Sequence, residues 1–388
     1  MTIEKNSVVT FHYTLRDPAG RVLDSSAGGE PIVFLEGAGQ IIDGLDQRLR
    51  TVAAGAKTRV QVPAVVRRGP LTVAISSGPL TYYPDDQGSI LGLEHDLIEA
   101  FADRGECEFV EEFGVPLPVA MIAGQIGLDD DPKRVKRWSD AAVDRFSQMV
   151  DHDRKLECAR SLVEFQHYMK GLIDDRRANG GNDLLTDLVE ARVEGETPLS
   201  DPEIMSLMQQ FMVAGNETTT STLAGGLLQL IRNPDQMAKA KAAAGGRDPK
   251  VLMNLVEEAL RYETPTAGMW RIVKQDTELG GMAIPAGSVV QLRYAAANRD
   301  PKRFPDPDKF DIDRTNARTH MSFGKGPHMC VGNMLSRKEM LVAFDELLER
   351  LDNFAVADEN EIRILPNILL RGVTHLPITF TRSGTRKA

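Results

Sequence analysis

The stretch "MSFGKGPHMCVGNMLSRKEM", residues 321–340, holds a single cysteine, Cys330, between a glycine-rich loop and an apolar helical pattern. A thiolate is a strong, soft ligand for iron, and it must be deprotonated and shielded from oxidation. Gly324 and Gly326 permit unusual dihedrals and let a flat ligand approach the backbone closely. Gly332, opening the next helix, leaves space for such a plate. His328 can donate a hydrogen bond to a carboxylate at the plate's edge, and Phe323 can pack over the sulfur and limit water. Taken alone, Cys330 could also be a buried, inert cysteine on a loop.

A second stretch, "AGNETTTS" at residues 214–221, places Ala214, Gly215, Glu217 and Thr218 inside a long apolar helical pattern. An acid and a β-branched cluster are poor helix interior by propensity, and rule-breaking of this kind is expected at functional sites. Threonine hydroxyls can bond back to the carbonyl four residues earlier and bend a helix. Such a bend beside a small residue makes a groove for dioxygen and a water, with Thr218 holding the oxygen and Glu217 passing protons toward it. A kinked structural helix is the plain alternative. A third stretch, "EEALR", puts Glu258 and Arg261 three apart, on one helix face. Exposed, the pair is worth under about 1 kcal/mol. Buried, it needs further partners, and Arg303 in "PKRF" is the candidate third member.

These groups need long helices and tight loops to hold them. Ser200 and Glu203 form a capping box with Pro202 in the first turn. The helix they open should run to about Arg232, roughly 48 Å at 1.5 Å per residue, apolar over most of its surface and central to the core. Residues 131–181 carry helical periodicity ending at a glycine pair. "PKVLMNLVEEALRYETP" is a further helix, with a hairpin after it turning at Gly280–Gly281, and a last helix falls near 333–350. Before about Gly92 the pattern differs. Residues 7–62 and 71–83 read as strands and turns, with β-branched and aromatic residues at near-alternate positions. The fold class is therefore mainly α with small β-sheets, preceded by a β-rich N-terminal segment.

Bulk properties exclude several classes. A formal charge of −10 over 388 residues argues against a nucleic-acid footprint. No run approaches the roughly 18 apolar residues of a membrane span, and the start lacks a secretory layout. Three dispersed cysteines, Cys107, Cys158 and Cys330, make neither a zinc pattern nor a disulfide framework. A cytoplasmic location is expected.

"FGKGPHMCVG", "AGNETT" and "EALR" resemble, in type and in order, the haem-thiolate monooxygenases of the cytochrome P-450 family, over about residues 97–381. "LGGMAIPAGSVVQLRYAAANRDPKRFPDPDKFDIDR" looks like the family's bacterial members. The resemblance implies haem b (iron protoporphyrin IX) with Cys330 as axial ligand of its iron. It implies His328 and Arg271 on the haem propionates, Phe323, Gly324 and Gly332 on the proximal side, and Ala214, Gly215, Glu217 and Thr218 on the distal side. Glu258, Arg261 and Arg303 would form the family's structural triad. The implied reaction inserts one oxygen atom into a small apolar substrate. Electrons would come from an external ferredoxin or flavoprotein, since no flavin or nicotinamide fingerprint is present.

The family's first third is not visible. Residues 6–63 instead resemble the front half of an FKBP-type prolyl isomerase, through "VVTFHYTLRDPAGRVLDSS" and "GAGQIIDGLDQRL". Tyr13, Asp24, Ile41, Ile42 and Leu45 would map onto its apolar cleft. Residues 68–102 resemble the opening strand and helix of a solute-binding domain. The expected domains are 1–66 (FKBP-like, partial), 67–96 (solute-binding-like fragment) and 97–388 (haem domain, shortened at its N-terminal end). Besides the monooxygenase, two functions fit such a mosaic: a peptidyl-prolyl isomerase or peptide-binding module, or a chain that assembles no site.

Overall fold

A computed structural model describes residues 92–384, except 129, 146–149 and 193–196, and before residue 92 only the backbone of six short strands. The chain divides into two units, Met1–Ser77 and Gly78–Ala388.

In the first unit β1 (Val8–Phe11) pairs antiparallel with β4 (Ile32–Leu35), and β2 (Thr14–Arg16) with β3 (Val22–Ser25). The strand expectation therefore holds where residues are described. Asp24 lies on β3, whereas Tyr13, Ile41, Ile42 and Leu45 lie outside the described residues, as does most of 71–83.

The second unit opens with a short hairpin, β5 (Tyr83–Pro84) with β6 (Ile90–Leu91), and then becomes helical. In order come α1 (Leu93–Ala102), β7 (Glu106–Glu108), a wide turn at Val110–Gly114, α2 (Pro116–Gln125), α3 (Pro132–Asp144), α4 (His152–Asn179), α5 (Leu184–Glu190), α6 (Asp201–Arg232), α7 (Pro234–Ala243) and α8 (Pro249–Glu263). The helical periodicity of 131–181 is thus two helices, each opened by an aspartate cap: Asp131 accepts from Lys133 N–H and Asp151 from Arg154 N–H.

The C-terminal part holds β8 (Met269–Ile272), β9 (Thr277–Leu279), β10 (Met282–Ile284), β11 (Val289–Leu292), α9 (Tyr294–Ala297), α10 (Asn333–Arg350), β12 (Leu351–Val356), β13 (Arg363–Ile364), β14 (Val373–His375) and β15 (Pro377–Arg382). β8 pairs with β11 and β9 with β10, the latter turning at Gly280–Gly281 as expected, and β15 lies between β12 and β7.

α6 has the expected bounds, and its capping box is formed. It is buried at every position from Thr219 to Leu228, so this half is the axis of the core. Leu223, Ala224, Leu227 and Leu228 pack there with Leu255 and Ala259 of α8 and Phe344 and Leu347 of α10. Gly226 lets α10 approach closely, since a Cβ there would meet Phe344 at 2.8 Å. The first half of α6 is amphipathic instead. Its Ile204, Met208 and Met212 join a second cluster with Trp138 and Phe165. α1 inserts Ile98 and Phe101 into the main core, with Phe101 and Phe380 ring centroids 5.6 Å apart. Among the described residues no helix is long and apolar enough to cross a membrane.

Candidate active site

The Cys330 loop is a closed turn. Gly324 (φ +66°) and Gly326 (φ +70°) adopt the left-handed dihedrals that a side chain would resist. They reverse the chain so that Cys330 N–H donates to the Phe323 carbonyl at 2.9 Å. A short 3₁₀ turn, Gly326–His328, completes the reversal. Asn333, the first residue of α10, returns its side-chain amide to the Cys330 carbonyl at 2.7 Å. Although Cys330 is open to its surroundings, partial desolvation by the loop pushes its thiol up, while the Gly332 N–H and the Arg337 charge oppose this and favour the thiolate.

Cys107 and Cys158 are buried, and Cys330 is exposed. The inert-core reading therefore suits the first two and not the third. The side chains flanking the sulfur are apolar and open: Met329 is 48% exposed, Val331 83% and Met334 67%. A Cβ at Gly332 would meet nothing within 4 Å. An open apolar seat around a lone thiol calls for a covering group. Among the described residues no cluster of three or more His, Cys, Asp or Glu could hold a bare metal ion. A single thiol among open apolar side chains is compatible with the haem that the sequence resemblance implies. Arg271, half-buried on β8, donates to the Trp270 carbonyl at 2.8 Å, and His328 is exposed. Both are cations or donors suited to edge carboxylates. The Phe323 ring lies beside the loop, 5.6 Å from the His320 ring and under the Arg337 guanidinium at 4.4 Å.

On α6, Thr218 donates to the Ala214 carbonyl at 2.9 Å, and Thr222 to the Thr218 carbonyl at 2.8 Å. The expected back-bonding is present, yet the helix remains α-helical throughout. Ala214 is exposed. Gly215 has a packing reason: a Cβ there would sit 2.5 Å from Ile122 of α2. Glu217 points to α3, where it accepts from Lys136 at 3.0 Å. Lys136 also pairs with Asp140, whose carboxyl is pushed up to about 6, chiefly by burial. Lys136 gave no signal in the sequence beyond being one lysine on a polar helix.

The ion pair of α8 is wholly buried. Arg261 donates from Nε and Nη2 to the two Glu258 oxygens, each at 2.7 Å. The expected third member is corrected: Arg303 is exposed and donates to the Thr319 hydroxyl at 3.2 Å. Arg314 takes the place, reaching Glu258 at 3.2 Å and the carbonyls of Pro305, Asp306 and Lys309. Three residues that sequence reasoning passed over form a second cluster beside it, with Glu257 and His320 buried and Arg337 half-buried.

The fold therefore gathers Phe323, Gly324, His328, Cys330 and Gly332 in one turn, and Ala214 and Thr218 one helical turn apart on α6. It directs Gly215 and Glu217 toward α2 and α3.

Comparison with known proteins bears on this arrangement. A family model described as Cytochrome P450 matches residues 150–375, and one described as FKBP-type peptidyl-prolyl cis-trans isomerase matches residues 1–76. The chain is 36% identical to the steroid C26-monooxygenase of Mycobacterium tuberculosis (strain H37Rv) over 301 residues, 77% of this chain and 74% of that one. It is 34% identical to the 6-deoxyerythronolide B hydroxylase of Saccharopolyspora erythraea, over 73% of this chain and 68% of that one. The structure of CYP109E1 from Bacillus megaterium in complex with testosterone superposes with a TM-score of 0.66 at 30% identity, covering 74% of this chain and 76% of that one. Fold, motif order and relatives agree over the helical body, and the chain belongs to the cytochrome P450 family.

Proposed function

We propose that Cys330 is the thiolate of this haem monooxygenase, that Thr218 and Glu217 serve the proton side of its reaction, and that its substrate is an apolar molecule of steroid scale. The observation that carries the reading is the exposed Cys330 at the head of a closed glycine turn, seated among open apolar side chains. The family carries haem b. When bound, the haem supplies an iron centre whose thiolate ligand favours cleavage of the O–O bond.

The residues divide the remaining work. Gly332 N–H and the Phe323 carbonyl hold Cys330 from either side of the turn. Met329, Val331 and Met334 exclude water from the sulfur once covered. Arg271 pairs with a carboxylate at the plate's edge, and His328 donates a hydrogen bond there. Thr218 holds a hydroxyl on the Ala214 carbonyl, from which it can turn to donate toward oxygen. Glu217, tied to Lys136, can accept a proton from the α3 side and release it on the α6 side. One oxygen atom enters substrate and the other leaves as water, so each turnover needs electrons from a redox partner. A ferredoxin or flavoprotein fills that role in this reading.

The substrate class follows what relatives bind. One is named for a steroid, and a structural neighbour holds testosterone. Spectral titration of the ferric protein tests it. A steroid should displace water from the iron and shift the Soret band toward high spin; a panel of steroids, macrolides and fatty acids without any shift removes the substrate assignment.

For residues 1–76 the match to the FKBP-type model favours a second, separate reading, an isomerase-like or peptide-binding segment; the domain limits in this reading are 1–66, 67–96 and 97–388. A prolyl-isomerase assay on the full chain at the uncatalysed rate would remove the enzymatic form of it.

A further inference from the structure

Glu257 adjoins Glu258 on α8 but serves different partners. Its carboxylate is buried, with Oε1 accepting from Arg337 Nε at 2.7 Å and Oε2 from Arg337 Nη2 at 3.2 Å. Oε2 also meets His320 Nε2 at 3.0 Å. His320 is itself buried, and its Nδ1 accepts from Ser322 N–H at 3.0 Å. That contact fixes the neutral tautomer with the proton on Nε2, so His320 donates to Glu257. Arg318 stands farther out, its Nε 3.9 Å from Glu257.

Two arms run from this carboxylate to the cysteine turn. The first passes through His320 to Ser322, whose hydroxyl is anchored on the Leu260 carbonyl at 2.7 Å. Phe323 follows in the chain, and its carbonyl holds Cys330 N–H. The second passes through Arg337, whose guanidinium lies 4.4 Å over the Phe323 ring and donates to Asn333 Oδ1 at 2.8 Å. Asn333 in turn holds the Cys330 carbonyl. One buried anion therefore governs the backbone on both sides of the sulfur. It also neutralises Arg337, a cation close enough to favour the thiolate.

We propose that Glu257 is a positioning residue for the Cys330 thiolate: through His320 and Arg337 it fixes the turn on both sides of the sulfur and balances the guanidinium charge beside it. The inference rests on Cys330 being the haem ligand. It concerns how that ligand is held and how strongly it donates.

The two members of the pair should act in opposite directions on the haem. Glu257→Gln removes an anion and leaves Arg337 uncompensated, so the reduction potential should rise. Arg337→Gln removes the cation, so the potential should fall, while Arg337→Lys should stay near wild type. Loosening alone would move both Gln variants the same way. The test is spectroelectrochemical titration of haem-loaded full-length protein, with the reduced carbon monoxide spectrum of each variant recorded beside it. Opposite shifts support the proposal. Shifts of one sign, or none, overturn it. If Glu257→Gln does not fold, the Arg337→Gln and Arg337→Lys pair decides: a lower potential in the former alone supports it, and equal potentials overturn it. A wild-type spectrum without a thiolate band overturns this proposal and the Cys330 assignment together, whereas a wild-type thiolate band with unshifted variants overturns this proposal alone.

Discussion

Arg314 donates to Glu258 at 3.2 Å, and both side chains are buried. With Arg261 this makes a three-member cluster in which one carboxylate faces two guanidinium groups. Removing one partner of a buried ionic network leaves a charge uncompensated and costs about 3–5 kcal/mol. Arg314→Ala should lose that much in chemical denaturation of the haem-loaded protein. Arg303→Ala, at an exposed side chain, should stay within about 0.5 kcal/mol of wild type. Equal losses would return Arg303 to the cluster.

Thr218 keeps its hydroxyl on the Ala214 carbonyl, so its proton is available only by rotation. Thr218→Ala removes the donor without touching the thiolate. Product formation should fall by about 10²-fold, the scale of general acid catalysis, while oxygen consumption continues. Thr218→Ser should retain most of the coupling. Product and oxygen measured together check this; unchanged coupling in the alanine variant would remove Thr218 from the proton path.

Glu339 of α10 is a buried carboxyl whose Oε1 has no hydrogen-bond partner. Burial, with Glu94 as its charged neighbour, raises its pKa well above 4.5. Glu94 is raised too, chiefly by burial and further by Glu346, with Lys338 opposing. A raised carboxyl means the folded state keeps a proton that the unfolded chain has lost. Stability therefore falls as pH climbs from about 4.5 toward the folded value. Glu339→Gln, neutral at every pH, should melt higher than wild type at neutral pH and above, and converge with it below about pH 4. Thermal melts across that range decide it, and a constant difference between the two proteins would contradict the linkage.

Much of this was legible locally. α6 announced itself through the Ser200–Glu203 box, and it ends at Arg232 as expected. The Cys330 turn was legible because its glycines need positive φ, which is a property of the chain itself. What depended on tertiary approach was hidden. Arg303 and Arg314 sit in one proline-rich segment, and only folding decides which reaches Glu258. Glu257, His320 and Arg337 are single residues separated by up to 80 positions, so no spacing links them. Gly215 suited a groove by composition, and its contact with Ile122 emerges only when α2 packs on α6.

The reduced protein, loaded with haem and exposed to carbon monoxide, tests the central claim most directly. Wild type should show the long-wavelength Soret band of a thiolate-ligated iron, and Cys330→Ser should lose it while Cys107→Ser and Cys158→Ser keep it. A wild-type spectrum of nitrogen- or water-ligated iron, or a thiolate band surviving in Cys330→Ser, would contradict the account.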